Sequence, residues 1–151
     1  MTIRRIDITA SHLVIPLFNK YRIFYKMEPD LELAESFIKA RLGNNESVVY
    51  VVFDDNINTP VGFTQLYPTF SSRRAIKNWI LNDLYVEPEY RKQGIGEKLI
   101  KTAMQFAKND GAKTLQLSTA VDNFTAQSLY EKIGFVRQGL DPDFYDYKLV
   151  L

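Results

Sequence analysis

A short segment with two glycines and two basic residues stands between two patterned runs in the second half of the chain. Residues 91–96 read Arg-Lys-Gln-Gly-Ile-Gly, residues 79–86 before them form a β-like run, and residues 97–109 after them carry apolar side chains at helical spacing. Glycine lets a backbone come close to a ligand, and the free N–H groups at the start of a helix point outwards, at a ligand bound at its N-terminus. The segment therefore predicts a strand-to-helix junction that binds a phosphate or pyrophosphate group, and hence a nucleotide-like cofactor.

Two glycines alone also fit a plain tight turn in which Arg91 and Lys92 are simply solvated. Two known nucleotide motifs are excluded by spacing. The run from Gly94 to Lys98 lacks the intervals of a Walker phosphate loop, and Leu99 stands where a dinucleotide-binding fingerprint needs a third small residue. The residues by themselves leave the turn and the anion site as alternatives.

Composition narrows the chemistry that the chain can perform. The chain has 151 residues, which predicts one domain over residues 1–151, and its net charge of +1 is unlike that of a general nucleic-acid binder. It has no cysteine and one histidine, His12, which excludes thiolate nucleophiles, thiolate zinc sites and histidine-rich metal sites, so no metal is expected. No run reaches the roughly 18 apolar residues of a membrane span. We therefore expect a cytoplasmic protein that acts on neither membranes nor nucleic acid.

The hydrophobic periodicity predicts a mixed α/β chain built around one sheet. Alternating and β-branched runs predict strands over residues 2–8, 47–53, 61–67, 76–86, 114–118, 135–138 and 144–151. Helical spacing predicts helices over residues 11–25, 31–42, 94–109 and 123–132. The second and third strands are predicted to form an antiparallel hairpin, and the third helix is predicted to cross over to a parallel strand. This order of elements predicts the α+β fold class.

Two motifs in the right order resemble those of the GNAT family of N-acetyltransferases. Arg91-x-x-Gly94-x-Gly96 is similar to the family's cofactor motif, Arg/Gln-x-x-Gly-x-Gly/Ala, in residue type, spacing and position before a helix. Downstream, residues 123–135 resemble the family's Asn-x-x-Ala-x-x-Leu-Tyr-x-x-x-Gly-Phe segment. The resemblance covers residues 61–151 well, whereas the first part of the chain matches only in the order of its predicted elements.

The resemblance implies the GNAT acyl-CoA acyltransferase fold, with a central mixed, mostly antiparallel sheet flanked by helices. It also implies acetyl-CoA as cofactor, with the diphosphate on the backbone N–H groups of residues 93–97 and the pantetheine arm along residues 84–86. Amides at a helix start suit a diphosphate, and an extended arm can add to a sheet edge like a strand. The cofactor-binding residues implied in this way are Leu84, Tyr85, Val86, Arg91, Lys92, Gln93, Gly94, Ile95, Gly96, Glu97, Asn123, Ala126 and Tyr130.

Two side chains are candidates for the chemistry of acetyl transfer. By the resemblance, Tyr130 corresponds to the tyrosine that the family uses as general acid, and it shares a face of the predicted helix with Asn123 and Ala126. Asp83, the candidate base, is a carboxylate in an otherwise apolar strand, where burial would raise its pKa towards a useful range. A backbone N–H near Leu84 is the expected oxyanion donor. The alternatives are a core aromatic for Tyr130, and an ammonium anchor or a structural carboxylate for Asp83.

The acceptor is less well defined than the cofactor. The region from Gly62 to Val86 is similar to the diamine and polyamine acetyltransferase branch, but Asn82 and Asp83 stand where that branch carries a Glu-Asp pair. The acceptor is therefore left open between a polyamine-like or amino-acid-like small molecule and a peptide or protein amine. The oligomeric state is also open, and a homodimer is one expectation because the family is often dimeric. The residues that could line an acceptor pocket are Tyr67, Phe70, Trp79, Asp143, Phe144 and Tyr145.

Two rival interpretations use the same residues. One is a non-catalytic acyl-CoA-binding or protein-interaction module on the same scaffold, and the other is a glycine turn in an unrelated α+β domain. Asp83 and Tyr130 favour chemistry over the first rival. Binding of coenzyme A would exclude the second.

Overall fold

The computed structural model describes residues 1–151 and divides them into two units, Met1–Ser118 and Thr119–Leu151. The first unit contains one sheet whose strands lie in chain order: β1 (Thr2–Ile6), β2 (Val48–Asp54), β3 (Thr59–Ser71), β4 (Ile76–Val86) and β5 (Leu115–Gln116). The pairings from β1 to β4 are antiparallel, and β4 pairs with β5 in parallel. The predicted α+β fold with a mixed, mostly antiparallel sheet is confirmed.

The helices of the first unit are α1 (Ile15–Phe24), α2 (Leu31–Gly43) and α3 (Ile95–Asn109). The helix predicted over residues 11–25 begins later than expected, because a 3-10 turn over Ile8–Leu13 precedes α1. Pro16 lies in the first turn of α1, where its missing N–H costs no helical hydrogen bond. None of the helices combines the length and the apolar content that crossing a membrane requires.

Apolar side chains cover both faces of the sheet. Residues that join α1 and α2 to β2, β3 and β4 form the core on one face, and they include Phe18, Ile38, Val49, Phe63 and Tyr85. Residues that join α3 to β2 and β3 form the core on the other face, and they include Val52, Val61, Ile95 and Leu99. Each fully buried aliphatic or aromatic side chain of this kind contributes about 1.5–3 kcal/mol. The helices therefore hold the sheet from both sides.

An extra residue in the middle of β4 changes which side chains share a face. β3 and β4 pair Gln65 with Asp83 but Leu66 with Leu81, so Asn82 has no partner on β3 and forms a β-bulge. Side chains alternate along a strand, and residues paired across two strands share a face. Simple alternation would put Leu81 and Asp83 on one face, but the bulge separates them and places Asp83 beside Gln65.

The strands β4 and β5 are paired only over a short stretch. The paired residues are Trp79 with Leu115 and Ile80 with Gln116. From Asp83 to Val86, β4 pairs with β3 alone. This end of β4 therefore has a sheet edge whose N–H and C=O groups are not paired by another strand, which is an edge that an extended ligand can join.

The second unit contains one helix, α4 (Phe124–Ile133), and no strand. The strands predicted over residues 135–138 and 144–151 are therefore wrong, and β5 is shorter than the predicted 114–118. β-branched and aromatic residues favour an extended backbone, but a strand exists only when a neighbouring backbone satisfies its N–H and C=O groups. The side chains of Tyr147 and Leu149 are exposed instead.

Gly62 is required where β3 passes β4. A Cβ at this position would lie 2.7 Å from the backbone oxygen of Tyr85 and 3.1 Å from Val52 Cγ1. The backbone cannot move away freely, because Gly62 pairs with Val86. We predict that Gly62→Ala lowers the free energy of unfolding by about 1–3 kcal/mol, as expected for overpacking. Urea denaturation measures this change.

Gly43→Ala is the matched control for this prediction. A Cβ on Gly43 would meet the mobile end of the Ile8 side chain, Cδ1, at 3.1 Å, and Gly43 ends α2. The replacement should leave stability unchanged or raise it by up to about 1 kcal/mol through the better helix propensity of alanine. Equal losses in the two variants would contradict the role of the β3–β4 contact.

Candidate active site

Asp83 is a carboxylate that lies inside the protein, with 2% of its surface exposed. Gln65 Nε2 donates a hydrogen bond to Asp83 Oδ2, and Asn82 Nδ2 donates to Oδ1 at 2.9 Å. Burial raises the pKa of Asp83 above its ordinary value, while the hydrogen bonds from Gln65 and Asn82 partly oppose that rise. A carboxyl group with a raised pKa accepts a proton closer to neutral pH, which a general base requires.

Two of the groups around Asp83 were not predicted from the sequence. Gln65 reaches Asp83 across the β3–β4 pairing, and Tyr21 reaches the bulge from α1, where its hydroxyl donates to the backbone oxygen of Asn82 at 3.4 Å. The one sequence signal for Gln65 is a polar residue within an apolar strand. Tyr21 has no such signal, because its approach to β4 depends on how α1 packs on the sheet.

The glycine loop has the strand-to-helix geometry that the sequence predicts. Gly94 is the N-cap of α3 and has a φ of 76°, in the left-handed region that favours glycine. The first hydrogen bond of the helix runs from Lys98 N–H to Gly94 O at 3.1 Å. The amides of Ile95, Gly96 and Glu97 therefore precede the helical ladder and belong to the positive end of the α3 dipole. Space around the position of a Gly94 Cβ is open within 4 Å.

The two basic residues of the loop differ in their surroundings. Arg91 Nε donates to the backbone oxygen of Val86 at 2.8 Å, and its guanidinium carbon lies 5.5 Å from the Phe24 ring centre and 5.6 Å from that of Tyr85. Arg91 therefore fixes the loop against β4 and α1. Lys92 is exposed and has a φ of 60°. Cofactor binding by Arg91 and Lys92 stays a prediction.

The end of β4 places three predicted cofactor residues at an open edge. Leu84, Tyr85 and Val86 pair with β3 on one side and with no strand on the other. The Tyr85 ring is buried, and its hydroxyl bonds to Glu87 Oε2 at 3.1 Å. Burial and the neighbouring Glu87 raise the pKa of Tyr85 to about 12, so its hydroxyl stays neutral. If Tyr85 binds the pantetheine arm, it would do so through its backbone N–H and C=O groups.

In the second unit, α4 has a defined cap at each end. Asn123 Oδ1 accepts the N–H of Ala126 at 3.2 Å, which makes Asn123 the N-cap. Gly134, with a φ of 118°, ends the helix, and the N–H of Phe135 bonds to the oxygen of Tyr130 at 3.0 Å. This bond, together with that from Gly134 N–H to Glu131 O at 3.1 Å, is the pattern of a Schellman motif.

The Schellman motif also fixes the ring of Tyr130. The Tyr130 and Phe135 ring centres are 5.9 Å apart in an edge-on arrangement, which is the apolar contact that accompanies such a motif. Within α4, Asn123, Ala126 and Tyr130 are spaced so that they lie on one side of the helix. Asp83 belongs to the first unit and Tyr130 to the second.

The aromatic residues predicted for an acceptor pocket have different environments. Tyr67 lies close enough to Asp83 for burial and the carboxylate charge to raise the pKa of Tyr67. Trp79 instead packs on Phe106 of α3, with 5.0 Å between the ring centres, so its ring lies on the α3 side of the sheet. Phe70 is exposed. The other predicted members, Asp143, Phe144 and Tyr145, belong to the second unit.

Known proteins match the chain over most of its length. The family described as Acetyltransferase (GNAT) family matches residues 14–135. The chain is 45% identical over 135 residues to a Bacillus subtilis (strain 168) protein named "Uncharacterized N-acetyltransferase YhfO", covering 89% of each protein. It is 26% identical over 129 residues to a thialysine N-epsilon-acetyltransferase of Bos taurus, covering 80% of this chain and 75% of that protein. The crystal structure of a probable acetyltransferase matches with a TM-score of 0.89 and 40% identity, covering 100% of this chain and 98% of the other.

Proposed function

The chain belongs to the GNAT family of acetyltransferases, and we propose that it transfers an acetyl group from acetyl-CoA to a primary amine by direct attack in a ternary complex. The observation that carries the proposal is the sequence of features along β4 and α3. Between Asp83 and Ile95, the chain carries three features in order: a buried carboxylate, a sheet edge without a paired strand, and a glycine loop that opens a helix. We propose that residues 1–151 act as one N-acetyltransferase domain.

The loop and the β4 edge supply the proposed binding site for acetyl-CoA. The diphosphate would accept hydrogen bonds from the backbone N–H groups of residues 93–97, where the α3 dipole favours negative charge. The pantetheine amides would pair with the backbone of residues 84–86 as an added strand. Asn123 and Ala126 would contact the same arm. When bound, acetyl-CoA supplies the thioester carbon that the amine attacks.

Two side chains would move the protons. Asp83 would accept the proton of the attacking amine, directly or through a water molecule, because burial gives its carboxylate a raised proton affinity. Tyr130 would donate its hydroxyl proton to the departing sulfur, and the packing of its ring on Phe135 limits the directions in which that hydroxyl can point. A backbone N–H near Leu84 would stabilise the developing oxyanion. No covalent enzyme intermediate is required.

The proposed acceptors are a polyamine-like or amino-acid-like amine, or a peptide or protein amine. The Bos taurus relative is named for N-epsilon-acetylation of thialysine, which supports an amine acceptor for this chain as well. A cytoplasmic location and a homodimer stay predictions. Release of free thiol from acetyl-CoA, measured across a panel of amines and peptides, tests the proposal. Binding of coenzyme A without any thiol release would instead favour the non-catalytic acyl-CoA-binding module.

Gly94→Ala tests the cofactor loop, with Gly111→Ala as the matched control. Both glycines have left-handed backbones, with φ values of 76° and 80°, and neither has an atom within 4 Å of an added Cβ. Each replacement should therefore lower stability by a similar amount, about 1–2 kcal/mol. Only Gly94 lies in the proposed diphosphate site, so Gly94→Ala should raise the Kd for coenzyme A by about tenfold or more. Isothermal titration that gives the same Kd for both variants would refute the site.

Tyr130→Phe tests the general acid. The replacement keeps the ring that packs on Phe135 and removes only the hydroxyl. We expect kcat to fall by about 10² or more while the Kd for coenzyme A changes little. Tyr147→Phe, at an exposed position of the same unit, should leave kcat unchanged. A Tyr130→Phe enzyme with the wild-type kcat would remove this hydroxyl from the mechanism.

Asp83→Asn tests the base through the pH dependence of kcat/KM. A base works only when it is deprotonated, and burial raises the pKa of Asp83, so activity should fall as the pH drops through that raised pKa. The acid limb should therefore lie at a higher pH than an ordinary carboxylate gives. In Asp83→Asn, activity should drop by about 10²–10⁴ and this limb should disappear.

Asp110→Asn is the control for that profile. Bonds to Lys77 and Trp79 lower the pKa of Asp110, and this residue lies outside the proposed site. The acid limb should persist in Asp110→Asn. If Asp83→Asn kept both the acid limb and wild-type activity, another group would be the base.

A further inference from the structure

Two neighbouring groups in the first unit are incompletely partnered: the carboxylate of Asp83 has no cation beside it, and the amide oxygen of Gln65 has no hydrogen-bond donor. Asp83 is buried, yet neither a lysine nor an arginine forms an ion pair with it. Gln65 Oε1 is buried without a hydrogen-bond donor. Gln65 Nε2, on the same amide carbon, donates to Asp83 Oδ2, so the two groups are neighbours. Buried charges are normally paired and buried acceptors normally bonded, so this pair of groups matches a ligand that is a cation and carries only donors.

Three tyrosines lie around this pair and are called here the tyrosine cluster: Tyr21, Tyr25 and Tyr67. Tyr21 lies on α1 and Tyr25 is its C-cap, with the two ring centres 4.9 Å apart, and the Tyr21 hydroxyl reaches the Asn82 backbone oxygen at 3.4 Å. Tyr67 lies two residues after Gln65 on β3, so it shares the Asp83 face of the sheet. Burial, together with the charge of Asp83, raises the pKa of all three hydroxyls, so the rings are neutral.

The tyrosine cluster runs from the buried carboxylate to the surface. Asp83 is 2% exposed, Tyr21 is half-buried and Tyr25 at the end of α1 is 47% exposed. Two apolar neighbours of Tyr25, Phe24 and Met27, are also exposed, at 53% and 54%. A ligand with a cationic head and an apolar chain can therefore lie with its head towards Asp83 and its chain along this surface.

Two cations of the chain in this region, Arg41 and Lys20, already have carboxylate partners. Arg41 affects the pKa of Tyr67, but it pairs with Glu46 at 2.5 Å and lies over the Phe37 ring at 4.7 Å. Lys20, on α1 beside Tyr21, pairs with Glu87. Neither side chain supplies the missing positive charge at Asp83.

We infer that Gln65 and the tyrosine cluster form, with Asp83, the binding site for the protonated amine of the acceptor, and that this acceptor is an alkylammonium compound. The inference rests on the proposed amine acetylation, since it assigns the acceptor side of that reaction. The ammonium group donates to Asp83 and to Gln65 Oε1, and the faces of the tyrosine rings attract its charge. Tyr21, Tyr25 and Tyr67 are thus specificity residues, which act on the amine rather than on the cofactor.

Binding of pentylamine and of 1-pentanol to the full chain tests the inference without any reaction. The two probes have the same chain length, but only the first is a cation at pH 7.5. With coenzyme A present in place of acetyl-CoA, no acetyl group can be transferred, and titration calorimetry gives both Kd values. We expect pentylamine to bind at least about tenfold more tightly than 1-pentanol. Equal affinities in the wild-type chain would overturn the inference, whatever the variants do.

Ring removal tests the tyrosine cluster itself. Tyr21→Leu and Tyr25→Leu should each weaken pentylamine binding about fivefold or more, whereas Tyr25→Phe, which keeps the ring, should bind nearly as well as the wild type. Tyr50→Leu is the control, because Tyr50 is half-buried and packs on Phe106 instead. The cluster would be excluded if the Tyr21 and Tyr25 variants kept wild-type affinity while Asp83→Asn alone lost it.

Thiol release separates this inference from the proposed function. In the tyrosine variants, KM for the amine should rise about fivefold or more while KM for acetyl-CoA stays the same. If no amine is acetylated but pentylamine is still preferred over 1-pentanol, the proposed function fails and the cation site stands. If acetylation proceeds with unchanged amine KM in Tyr21→Leu and Tyr25→Leu, the function stands and the tyrosine cluster is wrong.

Discussion

The bulge at Asn82 is the constraint on which the rest of the site depends. One inserted residue brings Asp83 opposite Gln65 and lets the Asn82 amide bond the neighbouring carboxylate at 2.9 Å. Beyond the bulge, β4 pairs with β3 alone, so an unpaired edge lies beside the buried carboxylate. In a regular strand Leu81 and Asp83 would share a face, and Asp83 would not lie opposite Gln65. The buried carboxylate and the open edge therefore lie next to each other at this end of β4.

Burying Asp83 opposes folding, and the surrounding donors offset only part of that cost. Removing a carboxylate from water without full compensation costs several kcal/mol, whereas a hydrogen bond to a charged group returns about 1.5–3 kcal/mol. Gln65 and Asn82 each contribute one such bond. No cation completes the compensation, and Gln65 Oε1 is left without a donor. A protein can keep an incompletely compensated carboxylate when the neighbouring core is well packed. A bound ammonium ion would offset the part of the burial cost that the hydrogen bonds leave.

Local patterns predicted the elements that carry the site, but not the contacts between them. The predicted strand over residues 76–86 is β4, and the glycine loop opens α3, because periodicity and glycine act within a few residues. Gln65 and Tyr21 were missed because they lie 18 and 61 residues from the β4 residues that they bond, Asp83 and Asn82. Such contacts depend on strand register and helix packing. The strands predicted over residues 135–138 and 144–151 failed for the converse reason, since propensity alone supplies no pairing partner.

The motif in residues 123–135 has a structural role, and the chemical role proposed for Tyr130 does not conflict with it. Asn123 caps the start of α4 and Gly134 ends it, so the motif sets the length of the helix through backbone hydrogen bonds. An apolar contact between the residues at these two positions frequently accompanies a Schellman motif, and here the rings of Tyr130 and Phe135 make it. A tyrosine satisfies this contact with its ring and still carries a hydroxyl at the far end. Packing of the half-buried Tyr130 ring therefore does not compete with the proposed role as an acid, because the ring contact orients the hydroxyl that would act.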